Sequence, residues 1–195
     1  LSPANAFDLT AKVVLDANFQ RSRNWAMICD AKYFTMPRSE AQKRYHKGFA
    51  FFLMPQGNNV YRLGAAFGYG DKSVQPVSRN VTLTPGVEYT LTLRFSAAGK
   101  VAFLVNGKLL SSADVQPGSI AAPEVNITFG DRVGATYFPL GGILKSVELR
   151  SAKFTPQDFS ADSSKRLVFE RGEKKSLVWV DFLNFIIAYN ADEHR

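Results

Sequence analysis

Bond-breaking chemistry needs particular side chains at particular spacings, and the carboxylates come first. Two carboxyl groups two or four positions apart on a strand share a face and can serve as acid and nucleophile on one bond. The glutamates stand at 40, 88, 124, 148, 170, 173 and 193, and none has a partner at those spacings. Glu170 and Glu173 are three apart, across a turn expected at Arg171-Gly172-Glu173. The one cysteine, Cys29, follows the apolar run Trp25 to Ile28 and has only His46 and His194 to draw on. A buried structural thiol is the better reading, and no internal disulfide can form.

Side chains suited to recognition are better placed. Between Val60 and Tyr69, Tyr61, Leu63, Ala65, Phe67 and Tyr69 alternate with Arg62, Gly64, Ala66 and Gly68, so one side is almost bare of bulk. Such a side admits a ligand or another backbone, or makes room for a bulky neighbour or a bulge. An arginine fork at Arg62 suits a carboxylate gripped in two places. The alternative is an ion pair with a neighbouring acid on a solvated face. Sugars require flat aromatics for their apolar ring faces and planar polar groups for their hydroxyls. Tyr61, Arg62, Tyr69, Tyr137, Arg132, Trp25 and Asn58 are the candidates, about half of which are expected to point into a core.

These residues need a scaffold, and Val87 to Leu110 is its clearest part. Val87, Tyr89, Leu91, Leu93 and Phe95 alternate with Glu88, Thr90, Thr92, Arg94 and Ser96, the period of a strand with one buried face. Gly99 supplies a turn, Val101, Phe103 and Val105 repeat the pattern, and Asn106-Gly107 predicts a two-residue hairpin. Further strands are expected at Phe7 to Leu15, Trp25 to Phe34, Gly48 to Met54 (stopped at Pro55), Val60 to Tyr69 and Ser73 to Leu83. Thr35 to Lys47 and Asp131 to Gly142 read as long loops. Short strands between turn clusters, with no convincing helix, indicate an antiparallel two-sheet sandwich.

Composition agrees. With 195 residues, 46% hydrophobic and 21% charged, the chain is long enough for a two-sheet core. The net charge of +7 favours anionic partners. Arg38, Lys43, Arg44, His46 and Lys47 form the one dense basic run, suited to a lip for an anionic polymer or to a solvated loop. No basic stripe interleaves with aromatics, so nucleic acid is not expected as a partner. No run reaches the roughly 18 apolar residues of a membrane span. Asn80-Val81-Thr82 and Asn126-Ile127-Thr128 match glycosylation sequons. A start at Leu1 fits a processed segment, and a secreted, periplasmic or cell-surface location is expected.

The central hairpins resemble the laminin G-like and pentraxin-like jelly rolls of the concanavalin A-like lectin/glucanase superfamily. Val125 to Gly130 resembles that family's next strand, and Gly142 to Leu149 its closing one, with Lys145 and Ser146 where the family has an acidic pair. The resemblance covers Ala6 to Phe154 and implies an all-β, antiparallel, two-sheet jelly roll. It also implies a rim that often holds Ca²⁺, for which Asp16 with Asn18 after the first strand, Asp71, and Asp131 in the late loop are the available oxygens. The competing reading is that they are turn residues bonding their own backbone. The family's glucanase motif, E-x-D-x-x-E or E-x-D-x-E, is absent.

The reading is therefore a non-catalytic carbohydrate-binding module at residues 1–154, for acidic glycans and attached to a glycan-processing parent. Residues 155–195 read as a linker and C-terminal extension that either folds back or begins a further domain. A protein-interaction or adhesion module of the same fold is the rival. An atypical glycoside hydrolase or polysaccharide lyase is the third reading.

Overall fold

The structure is a computed structural model that describes residues 6–17, 25–32, 46–132, 138–151, 153–154, 156–160, 179–181 and 186–188. Its strands are β1 (Ala6–Leu15), β2 (Ala26–Asp30), β3 (Phe49–Gly57), β4 (Val60–Gly68), β5 (Ser73–Val74), β6 (Val77–Thr82), β7 (Glu88–Ser96), β8 (Lys100–Val105), β9 (Lys108–Asp114), β10 (Thr128–Phe129), β11 (Gly142–Ser151), β12 (Trp179–Asp181) and β13 (Ile186–Ala188).

Two antiparallel sheets result. The first runs β13-β12-β11-β1-β7-β8-β9, and the second β10-β2-β3-β4-β5, with β6 also paired to β4. Alternation decides which side chains meet between them. Phe7, Leu9, Ala11 and Val13 from β1 and Leu91, Leu93 and Phe95 from β7 face Phe49, Phe51, Leu63 and Phe67 in one core. The rings of Phe67 and Phe95 lie 4.7 Å apart and those of Phe7 and Phe49 5.5 Å apart, tying sheet to sheet.

The predicted hairpins form. Asn106 and Gly107 have φ of 51° and 75°, the left-handed pair of a type I′ turn. Other boundaries differ from expectation, each for a local reason. β2 ends at Asp30, whose carboxylate accepts the Lys32 backbone N–H at 2.9 Å and turns the chain. β3 continues through Pro55, because β2 pairs only as far as Leu53 and Pro55 needs no donor on that side. Asn58-Asn59 makes the turn instead, with φ of 51° and 60°. The stretch from Ser73 splits into β5 and β6 around Gln75-Pro76, and the 87–96 strand starts at Glu88, leaving Val87 exposed.

The outer face of the first sheet is solvated only in part, at Lys12, Glu88 and Lys145, where one-sided alternation would have all of it solvated. Arg94 and Thr92 are buried there. Arg94 donates through Nε and Nη2 to the two carboxylate oxygens of Asp8, both at 2.9 Å, and through Nη1 to the Asp158 carbonyl at 2.9 Å. The Phe154 ring lies 4.7 Å from the guanidinium. A 3-10 turn at Pro156–Phe159 brings Phe159 onto Ala102 and Leu104. Burial pushes the Asp8 carboxyl up, against the downward pull of Arg94. Beyond this turn, β12 extends the sheet by pairing with β11, and β13 pairs with β12.

Candidate functional site

The bare side of β4 faces outward from the second sheet, and the chain itself fills most of it. A Cβ on Gly64 would lie 2.2 Å from the Phe52 ring, and one on Gly68 would lie 2.3 Å from the His46 backbone. Phe52 is fully buried on this outer side, with Met27, Ala50 and Ala66. Trp25 lies flat on Phe52, ring centroids 4.7 Å apart and planes 2° apart. Gly64 therefore makes room for a bulky neighbour and Gly68 for a close backbone, so each of the two readings the alternation allowed holds at one glycine. Trp25 is half-buried and spends one ring face on that stack.

Arg62 escapes this filling. It pairs in register with Met54 on β3 and Asn80 on β6, one row beyond Gly64. A shift in the β4–β6 pairing beyond Arg62 accompanies a buried serine, Ser78, whose hydroxyl accepts the Leu63 N–H at 2.8 Å and donates to the Arg79 carbonyl at 2.7 Å. The Ser78 carbonyl in turn accepts Arg62 Nε–H at 2.8 Å. No neighbouring acid pairs with Arg62 among the described residues; that alternative gives way to the Ser78 carbonyl. Its terminal N–H groups stay available beside a shallow, open cleft of about 540 Å³ lined by Arg62, Val77, Ser78, Arg79, Asn80, Ser111 and Ser112. Among the described residues no lining residue is acidic, and Arg79 also lacks a carboxylate partner. Its Nε and Nη2 donate to the Leu110 carbonyl of β9 at 3.0 and 2.5 Å.

The other expected site residues are scattered. Tyr61 is fully buried between the sheets with Leu63 and Phe67 and reaches no ligand surface, so it leaves the candidate set. The alternation placed it with bulky apolar neighbours, which was the signal. Tyr69 packs against the same core; its hydroxyl is buried without a hydrogen-bond partner, and burial pushes its pKa up. Asn58 is exposed, and its type is explained by the left-handed turn it occupies. The Arg132 guanidinium stands 5.3 Å from the Phe138 ring. Tyr137 lies outside the described residues, as does Asn18.

Of the metal candidates, Asp131 uses one carboxylate oxygen to accept the backbone N–H of Arg132 at 2.7 Å and of Phe138 at 3.2 Å. That is the work of a loop brace. Asp16 and Asp71 are exposed, and the Asp16 backbone N–H donates to Gly141. Among the described residues no three His, Cys, Asp or Glu side chains gather as metal ligands would. The basic run is divided. Lys47 pairs with Glu124, His46 Nδ1 sits 3.0 Å from Ser73 Oγ, and Arg38, Lys43 and Arg44 lie outside the described residues.

Sequence reasoning missed a second polar cluster at the end of the second sheet. Lys32 is buried and donates from Nζ to Ser73 Oγ at 2.9 Å, beside buried Asp30. Burial lowers the Lys32 ammonium to about 8, with Asp30 pulling the other way. Sequence reasoning also passed over Arg79, Ser111 and Ser112. Nothing local marks them, because only the approach of β6 to β9 makes them neighbours.

The sequence matches no protein-family model and no curated protein. Solved structures share the fold. The CBM40 of the Ruminococcus gnavus IT-sialidase, bound to α2,3-sialyllactose, matches with a TM-score of 0.56 at 12% identity, over 80% of each chain. The native heptameric SAP-like pentraxin of Limulus polyphemus matches with a TM-score of 0.55 at 17% identity, over 92% of this chain and 82% of that one. The enzymatically active domain of bacteriophage CBA120 tailspike protein 2 matches with a TM-score of 0.56 at 12% identity, over 76% of this chain and 22% of that one. The chain thus shares its antiparallel two-sheet sandwich fold with these proteins.

Proposed function

We propose that the chain is a non-catalytic carbohydrate-binding module that grips acidic sugars at Arg62. The observation that carries this reading is the Arg62 guanidinium: anchored through Nε to the Ser78 carbonyl at the edge of a cleft, with no carboxylate partner and no acid lining the cleft among the described residues. A guanidinium so held presents a pre-set fork to a ligand carboxylate. Asn80, Ser111 and Ser112 add the amide and hydroxyl groups that sugar hydroxyls need. A two-carboxylate glycosidase mechanism has no place in this cleft, since neither of its groups lines it. A protein-docking role is less well supported, because among the described residues only Val87 and Ile143 are exposed large hydrophobics, whereas a protein interface needs an apolar patch. Attachment to a glycan-processing parent, outside the cytoplasm, fits such a module.

The test is a glycan array with the purified chain, including sialylated and uronic-acid sugars, run with calcium and again with a chelator. Selective retention of acidic sugars, lost in Arg62→Gln, is the expected result. Loss of binding under chelation would bring Asp16 and Asp131 back as cation ligands. Silence on every sugar in both conditions would end the reading.

A further inference from the structure

The cleft lies where the sandwich is left open. β9 is the last strand of the first sheet, and β6 ends the second sheet on the same side. Arg79 crosses between them: by alternation it shares the inward side of β6 with Val81, yet its side chain is exposed and hooks the Leu110 carbonyl. Its backbone N–H donates to Ser111 Oγ at 3.3 Å, so β6 and β9 are held facing each other. Two guanidiniums, Arg62 of β4 on the outer side of the second sheet and Arg79 of β6 on its inner side, thus flank one cleft, each fixed by its Nε and neither neutralised by an acid among the described residues. Two fixed cations cost one ligand charge too few. A ligand with a single carboxylate leaves one of them unmatched, whereas a chain with repeating acid groups can satisfy both. The shape agrees: an open cleft along two strand edges admits the middle of a polymer, while a terminal sugar is better held by an enclosed pocket.

We propose, resting on the carbohydrate reading above, that this cleft binds an internal segment of an anionic polysaccharide bearing repeated carboxylate or sulfate groups, with Arg79 as the second anchor. Titration calorimetry with a long oligogalacturonate and a heparin oligosaccharide separates the two acid types. Monomeric galacturonate, neutral dextran and single-stranded DNA are the controls. At least one acidic chain is expected to bind, more weakly as salt rises. The monomer should bind about tenfold more weakly or worse, as should the Arg79→Gln variant, the scale set by one charge-assisted hydrogen bond. Arg79 also ties two sheet edges, so Ser112→Asp provides the second variant: an exposed position where a carboxylate repels the ligand without unpacking the core. It too should lose about tenfold while melting like the parent chain. Unchanged binding in Ser112→Asp, a monomer as good as the polymer, or equally tight DNA each overturns the inference. If neutral and acidic sugars bind alike, the polyanion inference and the acid grip at Arg62 both fail and only the broader carbohydrate-binding reading stands. If no sugar binds, both fail.

Discussion

Ser78→Ala tests the residue on which Arg62 depends. It removes the acceptor of the buried Leu63 N–H, which should cost about 1–3 kcal/mol in urea unfolding. It also frees the Arg79 carbonyl and loosens the shifted β4–β6 pairing beside Arg62, so affinity for acidic sugars should fall in parallel. Gly64→Ala forces a methyl into the Phe52 ring and should cost about 1–3 kcal/mol, with partial recovery in the double variant carrying Phe52→Leu. Titration gives a third measurement. Lys32 holds its proton less tightly when folded, at about 8 against an ordinary 10.5, so between those values the unfolded chain binds more protons and stability rises with pH. Cys29 acts oppositely, because burial keeps its thiol protonated while the unfolded thiol ionises near 9.0. In a Cys29→Ala background, stability should therefore climb from pH 8 towards pH 10, and Lys32→Met should flatten the climb. Arg62 stood out in the sequence as a charge among glycine and alanine on one strand face, and the structure places it at the edge of the cleft. Tyr61 was the misplaced candidate: its ring keeps company with Leu63 and Phe67, and periodicity already said so. Lys32 and Ser73 were illegible, since 41 positions separate them and only the fold joins them.

Elements whose signal is local were read well. The β7-β8-β9 hairpins follow from alternation and from turn residues that tolerate left-handed backbone, and both appear in the structure. The second sheet's Pro55 and the divided β5 and β6 were blurred, because whether proline stops a strand depends on which partner lies beside it. The buried outer face of β7 was hidden for a similar reason: Arg94 looks solvent-facing until Phe154 and the Pro156–Phe159 turn come onto it, and Thr92 until its hydroxyl meets that of Thr10. That cover carries a prediction. Arg94→Ala strands the Asp8 carboxylate in a buried site and removes the tie to Asp158, so it should cost about 3–5 kcal/mol. The double variant Asp8→Leu with Arg94→Met should recover much of that loss, since apolar groups of similar volume replace the pair. Limited proteolysis should cut after Ser151 faster in the single variant than in either the parent or the double.

At the scale of the molecule, the two-sheet sandwich was legible and its open side was not. Strand count and alternation specify layers, but which edges face each other is set by sheet order, and sheet order is not written in any short window. The same holds for charge: a net of +7 points to anions without saying where they sit. The Asn106-Gly107 turn that helps build this side of the sandwich also sets how the protein ages. An asparagine followed by glycine is the sequence most prone to lose its amide nitrogen, through attack by the glycine nitrogen on the side-chain carbon. Here the Asn106 side-chain oxygen accepts the Thr90 N–H at 2.8 Å and its own N–H donates to Thr90 at 2.7 Å, which holds the reacting atoms in the turn geometry. Folded protein stored warm should keep that amide while urea-unfolded protein loses it, so a mass increment at residue 106 would serve as a record of time spent unfolded.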